Sequence, residues 1–314
     1  MRKVLVTGVT GSVGQVLARR LAEAGFAVRA VSRRPLPSGR YAETAILPPY
    51  DAAPAAFHAL VDGVEHIVHA AALTNADQTA SENDFMNANV RLSTALASAS
   101  AQAVAGRFIF LSSIRAVAGA NEGRAIDDNS VPAPADPYGR SKRAAEIAIG
   151  EEYDKQGGSG RLVMLRPAPV YGKGMKGALA GMLKLADSAL PLPFGAFRNR
   201  RSLLSVDALA DAVLHLIRSK QIVGPHFIVS DHTPIAIADI FRAFRHGLGR
   251  PERLVAVPPG LTKIAARLAG REEAWKRLLA DEICDPSGLV GTGWRPADSR
   301  DGLKELALAL KNGH

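Results

Sequence analysis

The chain has 314 residues, of which 47% are apolar and 22% are charged. This length and composition predict a globular protein of about two domains with a sizeable core, and they exclude collagen-like, low-complexity and wholly disordered chains. The single cysteine, Cys284, cannot form an internal disulfide, and no stretch has the ~18 uninterrupted apolar residues of a membrane helix. We therefore expect a cytoplasmic protein with no membrane partner.

The net charge of the chain is +9, which is compatible with an anionic partner such as a nucleic acid or a phosphorylated small molecule. The basic residues are scattered, and few aromatic side chains lie among them to stack on bases. We therefore expect no nucleic-acid partner. The eight histidines show no metal-binding spacing, so no metal site is predicted either.

Apolar runs of strand length alternate with stretches of helix length along the first half of the chain. The predicted strands are 3–7, 27–32, 65–70, 107–112, 162–166 and 226–230, and the predicted helices are 12–24, 51–61, 82–105, 137–155 and 205–219. Because helices of this length can cross over parallel strands, the pattern predicts an α/β fold, a doubly wound parallel-sheet Rossmann domain.

Proline and glycine residues break this pattern after Arg166, where a smaller and mostly helical C-terminal substrate domain is predicted to begin. We expect the chain to return to the sheet once before its helical tail. The dinucleotide-binding domain would then comprise residues 1–166 and about 202–230, and the substrate domain would comprise about 167–201 and 231–314.

Three glycines, Gly8, Gly11 and Gly14, follow the first predicted strand and open the first predicted helix. Gly8 would permit a tight turn, Gly11 would allow close approach of the backbone to a pyrophosphate, and Gly14 would allow close helix packing. Free N–H groups at the helix start, including those of Ser12 and Val13, would hold the phosphates. A glycine string alone is weak evidence, but in this context it predicts dinucleotide binding.

The residues after the second predicted strand indicate which dinucleotide binds. NAD sites commonly have an acidic residue there, whereas this chain has Ser32, Arg33 and Arg34. Arginines can hold the additional phosphate of NADP through charge-assisted hydrogen bonds. The sequence therefore favours NADP(H) over NAD(H), with a solvated basic turn as the alternative.

Tyr138 and Lys142 are four residues apart in the predicted helix that follows Asp136, so they share one helix face. A lysine ammonium beside a tyrosine favours the phenolate and brings proton transfer toward neutral pH. Ser112 and Ser113 close a predicted strand at the sheet edge where ligands of α/β proteins bind, and a hydroxyl there could bond a substrate oxygen. Spacing alone also fits surface residues, and it leaves open which serine is catalytic.

Taken together, these residues resemble the extended short-chain dehydrogenase/reductase family, in its nucleotide-sugar epimerase and dehydratase branch. The resemblance spans nearly the whole chain and also includes residues 69–72, Asn89, 170–172, Arg201 and 293–296. It implies that Ser113, Tyr138 and Lys142 form the catalytic set. It also implies cofactor contacts beyond the glycine loop, from Tyr138, Lys142, Asp51, Ala70, Ala71, Ala72, Asn89, Pro167 and Val170.

The resemblance also implies a substrate site. Arg201, together with Arg200, matches the segment that meets the diphosphate of a nucleotide sugar, and Ser113 would contact the sugar. Residues 111–115, 170–176 and 190–205 are similar to those of bacterial enzymes that act at C4 of UDP-N-acetylated hexoses. In contrast, Ile114 and Arg115 replace the acidic pair of sugar 4,6-dehydratases, which disfavours dehydration.

We therefore expect NADPH-dependent reduction of a 4-keto nucleotide sugar in the synthesis of polysaccharide precursors. A UDP-sugar 4-epimerase that retains its NAD(P) is the first alternative. Retention of the cofactor gives an epimerase little reason to draw on the NADPH pool, so Arg33 and Arg34 favour net reduction. A non-catalytic NADP-binding sensor or scaffold is the alternative from another class, and a homodimer is a further expectation.

Overall fold

A computed structural model describes residues 2–74, 80–117, 124–219, 224–258 and 279–313, together with positions 260, 262–263, 267, 270 and 275. Seven strands of this described part form one parallel sheet. They are β1 (Lys3–Thr7), β2 (Ala27–Ser32), β3 (Glu43–Ile46), β4 (His66–His69), β5 (Phe108–Leu111), β6 (Leu162–Pro167) and β10 (His226–Val229). Short strands outside this sheet are β7 (Val170–Tyr171), β8 (Arg200–Arg201), β9 (Leu204–Ser205) and β11 (Ile235–Ala236).

The helices lie between these strands and after them. They are α1 (Ser12–Glu23), α2 (Pro54–Val61), α3 (Glu82–Phe85), α4 (Leu92–Ala103), α5 (Pro137–Lys155), α6 (Ala178–Ala186), α7 (Val206–Arg218), α8 (Ile237–Leu248), α9 (Ser287–Val290) and α10 (Ser299–Lys311). A π-helical segment, Met86–Arg91, joins α3 to α4. None of the described helices is long and apolar enough to cross a bilayer.

The spatial order of the large sheet is β10–β6–β5–β4–β1–β2–β3. The order reverses between β1 and β4, and ligands of doubly wound sheets bind at the carboxyl edge near this point. The central strands are buried on both faces, as in Val4, Leu5 and Val6 of β1, because helices cover both sides of the sheet. The predicted α/β doubly wound fold is confirmed.

The structure differs from the prediction in one strand of the large sheet and in two helices. β3 was not expected, because Glu43–Ile46 is a short edge strand with no buried residue, and its sequence has no apolar run. The single helix expected over 82–105 is interrupted by the π-helical segment, and no composition signal marks such a segment. The helix expected over 51–61 begins later, at Pro54, because proline is favoured in the first helical turn.

The C-terminal part of the chain has its own apolar cluster, which includes Phe197, Phe241 and Phe244. The buried Arg245 guanidinium ties two loops to this cluster by donating to four backbone carbonyls, those of Ser188, Leu190, Pro251 and Glu252. Helix α8 packs on α10 and α6 in the same region. The division of the chain into two domains at the stated boundaries stays a prediction.

Candidate active site

The glycine loop connects β1 to α1 at the carboxyl edge of the sheet. Gly8 has a φ of +75°, and a Cβ there would collide with the backbone of Ala70 and Ala71. A Cβ at Gly14 would collide with the carbonyl oxygen of Gly8. In contrast, a Cβ at Gly11 would meet only the Gly8 carbonyl oxygen, at 3.4 Å. The protein packing therefore does not demand the absence of a side chain at Gly11, and close approach of a ligand to Gly11 stays a prediction.

Thr7 fixes the segment of Ala70, Ala71 and Ala72 against this loop. Its Oγ1 accepts hydrogen bonds from the amides of Ala70 at 3.1 Å and Ala71 at 3.0 Å. Thr7 ends β1, and residues 70–72 directly follow β4, its neighbour in the sheet. The two backbone segments implied in cofactor binding are thus joined by one buried hydroxyl.

His69 extends this connection to the helix that follows. Its Nδ1 lies 2.7 Å from Thr7 Oγ1, and its Nε2 lies 2.8 Å from Ser93 Oγ. Because the Ser93 hydroxyl donates to the Asn89 carbonyl at 2.6 Å, Nε2 of His69 donates to Ser93 and Nδ1 accepts from Thr7. Burial and the charge of Lys142 lower the pKa of His69 to about 3, so the imidazole is neutral.

The fully buried Asn89 lies on the π-helical segment and joins the alanine segment to the predicted catalytic helix. Its Oδ1 accepts from the Leu73 amide at 2.7 Å, and its Nδ2 donates to the Leu73 carbonyl at 3.0 Å and to Ser141 Oγ at 2.9 Å. All these bonds lie within the protein. In this structure Asn89 therefore links Leu73 to Ser141, the residue before Lys142, and its contact with the cofactor stays a prediction.

Helix α5 presents Tyr138 and Lys142. Asp136 caps its start by accepting from the Gly139 amide at 2.7 Å, and Pro137 occupies its first turn. Lys142 is buried, with Nζ 4.0 Å from the centroid of the Phe110 ring. Burial lowers the pKa of Lys142 to about 7, although the nearby Glu146 carboxylate acts in the opposite direction.

The Tyr138 hydroxyl faces the end of β5. Burial raises the pKa of Tyr138 to about 12, while Ser113 and the charge of Arg115 oppose this rise. Ser112 faces the other way, toward Glu146, and contributes to the lowered pKa of that carboxyl. Of the two candidate serines, Ser113 is the one beside the tyrosine.

Glu146 and Arg166 form a buried ion pair behind Lys142. Arg166 Nε donates to Oε1 of Glu146 at 2.9 Å, and Arg166 Nη2 donates to Oε2 at 2.7 Å. Arg143 adds a third contact to Oε2 at 3.1 Å. Glu146 lies one helical turn after Lys142 on α5. Arg166 therefore holds the negatively charged Glu146 carboxylate in place near the lysine.

Arg201 lies in β8, and its guanidinium is 3.5 Å from Oε2 of the buried Glu282. Arg115 lies 3.4 Å from the same oxygen. Neither Arg115 nor Glu282 was singled out for this site from the sequence. Arg200 is exposed, and its amide donates to Asp281 Oδ1 at 2.6 Å.

The remaining predicted site residues lie at the ends of β2, β6 and β7 or in the turn before α2. Arg33 and Arg34 are exposed directly after β2, while Ser32 is buried and its hydroxyl donates to the Arg34 carbonyl. Asp51 is exposed in the turn before α2. Pro167 ends β6 and Val170 begins β7. Among the described residues, no group of three or more His, Cys, Asp or Glu side chains could hold a metal ion.

The sequence matches the NAD dependent epimerase/dehydratase family over residues 4–229. It is 32% identical over 216 residues to a UDP-glucose 4-epimerase of Vibrio cholerae. The matched region covers 65% of this chain and 63% of that protein. The sequence is 26% identical over 303 residues to a ceramide reductase of Caulobacter vibrioides, which covers 94% of this chain and 86% of that protein. The chain therefore belongs to the NAD dependent epimerase/dehydratase family.

Solved structures show the same fold. A UDP-N-acetylglucosamine 4-epimerase from Bacillus cereus superimposes with a TM-score of 0.80 at 18% identity and covers all of both chains. The human epimerase family protein SDR39U1, solved with NADPH, has a TM-score of 0.74 at 19% identity and covers 99% of this chain and 100% of that one. Members of this family bind NAD or NADP.

Proposed function

We propose that the protein is an NADPH-dependent oxidoreductase that reduces C4 of a 4-keto nucleotide sugar during the synthesis of polysaccharide precursors. The observation that carries this proposal is a chain of hydrogen bonds through Thr7, His69, Ser93 and Asn89, which links the alanine segment to Ser141, next to Lys142, on the helix that also carries Tyr138. The His69 and Asn89 hydrogen bonds join these parts. Such a site combines a dinucleotide cradle with a proton donor.

The glycine loop, the alanine segment, Lys142, Pro167 and Val170 would hold the dinucleotide. The room beside Gly11 and the free N–H groups at the start of α1 fit a pyrophosphate. When bound, the cofactor supplies the hydride. These parts of the chain orient the nicotinamide and exclude water from it.

The chain itself handles the proton. Ser113 donates a hydrogen bond to the substrate carbonyl oxygen, and the Tyr138 hydroxyl donates the proton that this oxygen takes up. The raised pKa of Tyr138 keeps the phenol protonated before substrate binds. Lys142 favours the phenolate that remains after proton transfer, because its ammonium lies on the same helix face.

Arg33 and Arg34 support the choice of NADPH. Both side chains are exposed at the end of β2, beside the central strand that carries the glycine loop. A 2′-phosphate there would meet two guanidinium groups and no carboxylate from β2 or the two residues that follow it.

A second candidate function is 4-epimerisation of a UDP-sugar with retained cofactor. The observation that favours it is the 32% identity to the Vibrio cholerae UDP-glucose 4-epimerase. The same serine, tyrosine and lysine would serve both reactions. The two differ in stoichiometry, because an epimerase returns the hydride to the sugar.

One experiment separates these functions. Purified protein is incubated with a panel of nucleotide sugars and their 4-keto derivatives, with and without NADPH. Reduction predicts that NADPH is consumed in proportion to product, and epimerisation predicts a C4 epimer without net consumption. No conversion of any compound would favour a non-catalytic NADP-binding protein. A cytoplasmic location and a homodimer stay predictions.

A further inference from the structure

Arg115 lies in a short turn that packs closely against helix α5. The turn, Ile114–Ala116, follows Ser113 directly, and the Arg115 amide donates to Ser113 Oγ at 3.2 Å. Gly139 packs on the other side, because a Cβ at Gly139 would collide with the Arg115 carbonyl oxygen. The backbone of Arg115 is therefore fixed relative to both Ser113 and Tyr138.

The Arg115 guanidinium extends from this turn toward Glu282, the residue that also pairs with Arg201 of β8. Its Nη2 lies 3.4 Å from Oε2 of Glu282, and the side chain keeps 30% of its surface exposed. Its positive charge also acts on the Tyr138 hydroxyl, where it opposes the rise in the tyrosine pKa. The guanidinium thus pairs with Glu282 and is close enough to Tyr138 to act on its pKa.

Two guanidinium groups share one buried carboxylate oxygen of Glu282, because Arg201 approaches the same atom as Arg115. The preceding residue, Asp281, accepts a hydrogen bond from the Arg200 amide, and its negative charge acts on Arg201. Arg201 is the more buried arginine of the pair on Glu282, which leaves Arg115 as the more accessible cation.

We propose that Arg115 is a specificity-determining residue that binds a negatively charged substituent, such as a carboxylate, on the sugar of the substrate. This inference rests on the proposed function, which places the reacting carbon at Ser113 and Tyr138. A guanidinium binds a carboxylate through two charge-assisted hydrogen bonds. Because Arg115 is only two residues from Ser113, its ligand belongs to the sugar, whereas Arg201 comes from the separate strand β8.

The test is calorimetric titration of the NADPH-loaded protein with UDP, UDP-glucose and UDP-glucuronate. The wild type should bind UDP-glucuronate about tenfold or more tightly than UDP-glucose, because charged hydrogen bonds discriminate strongly. Arg115→Gln should reduce this preference to within about twofold and leave UDP affinity unchanged. Arg140→Gln is the matched control, because Arg140 also pairs with one carboxylate, that of Glu82, at the start of α5.

Other results of these titrations would contradict either the role of Arg115 or the proposed function. Equal affinity of the wild type for the two sugars, or a preference that persists in Arg115→Gln, would overturn the inference. A fall in UDP affinity in Arg115→Gln would place Arg115 at the diphosphate and would also overturn it. Failure of the wild type to bind any of the three compounds would instead contradict the proposed function. NADPH affinity and thermal unfolding verify that the variant is folded, and Arg115→Lys, which keeps the charge, should retain part of the preference.

Discussion

The Nδ1 atom of His69 lies 2.7 Å from the hydroxyl oxygen of Thr7, so a side-chain hydrogen bond joins the carboxyl ends of two neighbouring central strands. The same hydroxyl oxygen accepts from two amides of the alanine segment. Thr7 therefore joins β1 to residues 69–71 through three hydrogen bonds at the place where the dinucleotide is proposed to bind. Removal of this one oxygen should therefore lower the affinity for the cofactor.

Thr7→Val keeps the shape of the side chain and deletes the hydroxyl. Three buried groups then lose their partner, and each unsatisfied group costs about 1–3 kcal/mol. We expect NADPH affinity to fall about tenfold or more and the unfolding temperature to drop. Fluorescence titration with NADPH measures the first effect. Thr44→Val, at an exposed position of β3, is the control, and unchanged NADPH affinity in Thr7→Val would show that Thr7 does not organise this site.

Lys142→Met should make the protein more stable near pH 6. The pKa of Lys142 is lowered from 10.5 to about 7, so below pH 7 the folded protein holds a buried ammonium at a cost on the order of a few kcal/mol. Between pH 7 and about 10.5 the unfolded chain binds more protons than the folded one, and wild-type stability rises with pH. The advantage of the variant should therefore shrink by pH 10.

Urea unfolding at pH 6, 8 and 10 measures this difference. Lys155→Met is the control, because Lys155 is mostly exposed at the end of the same helix. A stability difference between Lys142→Met and wild type that does not change with pH would mean that Lys142 keeps an ordinary pKa. Catalysis should be lost in Lys142→Met at every pH.

Arg33→Ala combined with Arg34→Ala should narrow or reverse the preference for NADPH over NADH. Each charge-assisted bond to the 2′-phosphate is worth about 1.5–3 kcal/mol, so NADPH affinity should fall at least about tenfold while NADH affinity changes little. Parallel titrations with the two cofactors provide the measurement. The prediction fails if the wild type binds NADH and NADPH with equal dissociation constants.

Arg201→Ala should weaken UDP binding and spare NADPH binding, because Arg201 lies in β8, away from the glycine loop. A guanidinium that contacts a diphosphate contributes about 1.5–3 kcal/mol to binding, whereas an arginine that pairs only with Glu282 contributes close to nothing to UDP affinity. Calorimetric titration of UDP into the NADPH-loaded protein distinguishes these cases. Arg198→Ala, at an exposed arginine three positions earlier, is the control. Unchanged UDP affinity would assign Arg201 a structural role with Glu282.

The sequence was sufficient to predict the geometry of those parts of the site whose residues are close together in the chain. The glycine loop and the Tyr138 and Lys142 pair each lie within one turn or one helix, where spacing determines geometry. The parallel sheet apart from β3 was equally accessible, because its other strands are apolar runs. The structure adds Ser113 to this group by placing it, rather than Ser112, beside Tyr138.

Partners that are distant in sequence could not be predicted in the same way. Thr7 and His69 are 62 positions apart, and Arg115 and Glu282 are 167 positions apart. Glu146 and Arg166 are only 20 apart, but they lie in a helix and in a strand. Such pairs have no local periodicity, since the crossover connections of the sheet bring them together.

Transfer of a labelled hydride is the decisive test of the proposed reduction. The protein is incubated with a 4-keto nucleotide sugar and with NADPH that carries deuterium at both C4 positions of the nicotinamide, and the product is examined by mass spectrometry and NMR. The proposed reduction predicts one deuterium at C4 of the sugar for each NADPH consumed. In Tyr138→Phe the rate should fall by about 10²–10⁴, with NADPH affinity within a few-fold of wild type. Product without deuterium at C4, or full activity of Tyr138→Phe, would contradict it.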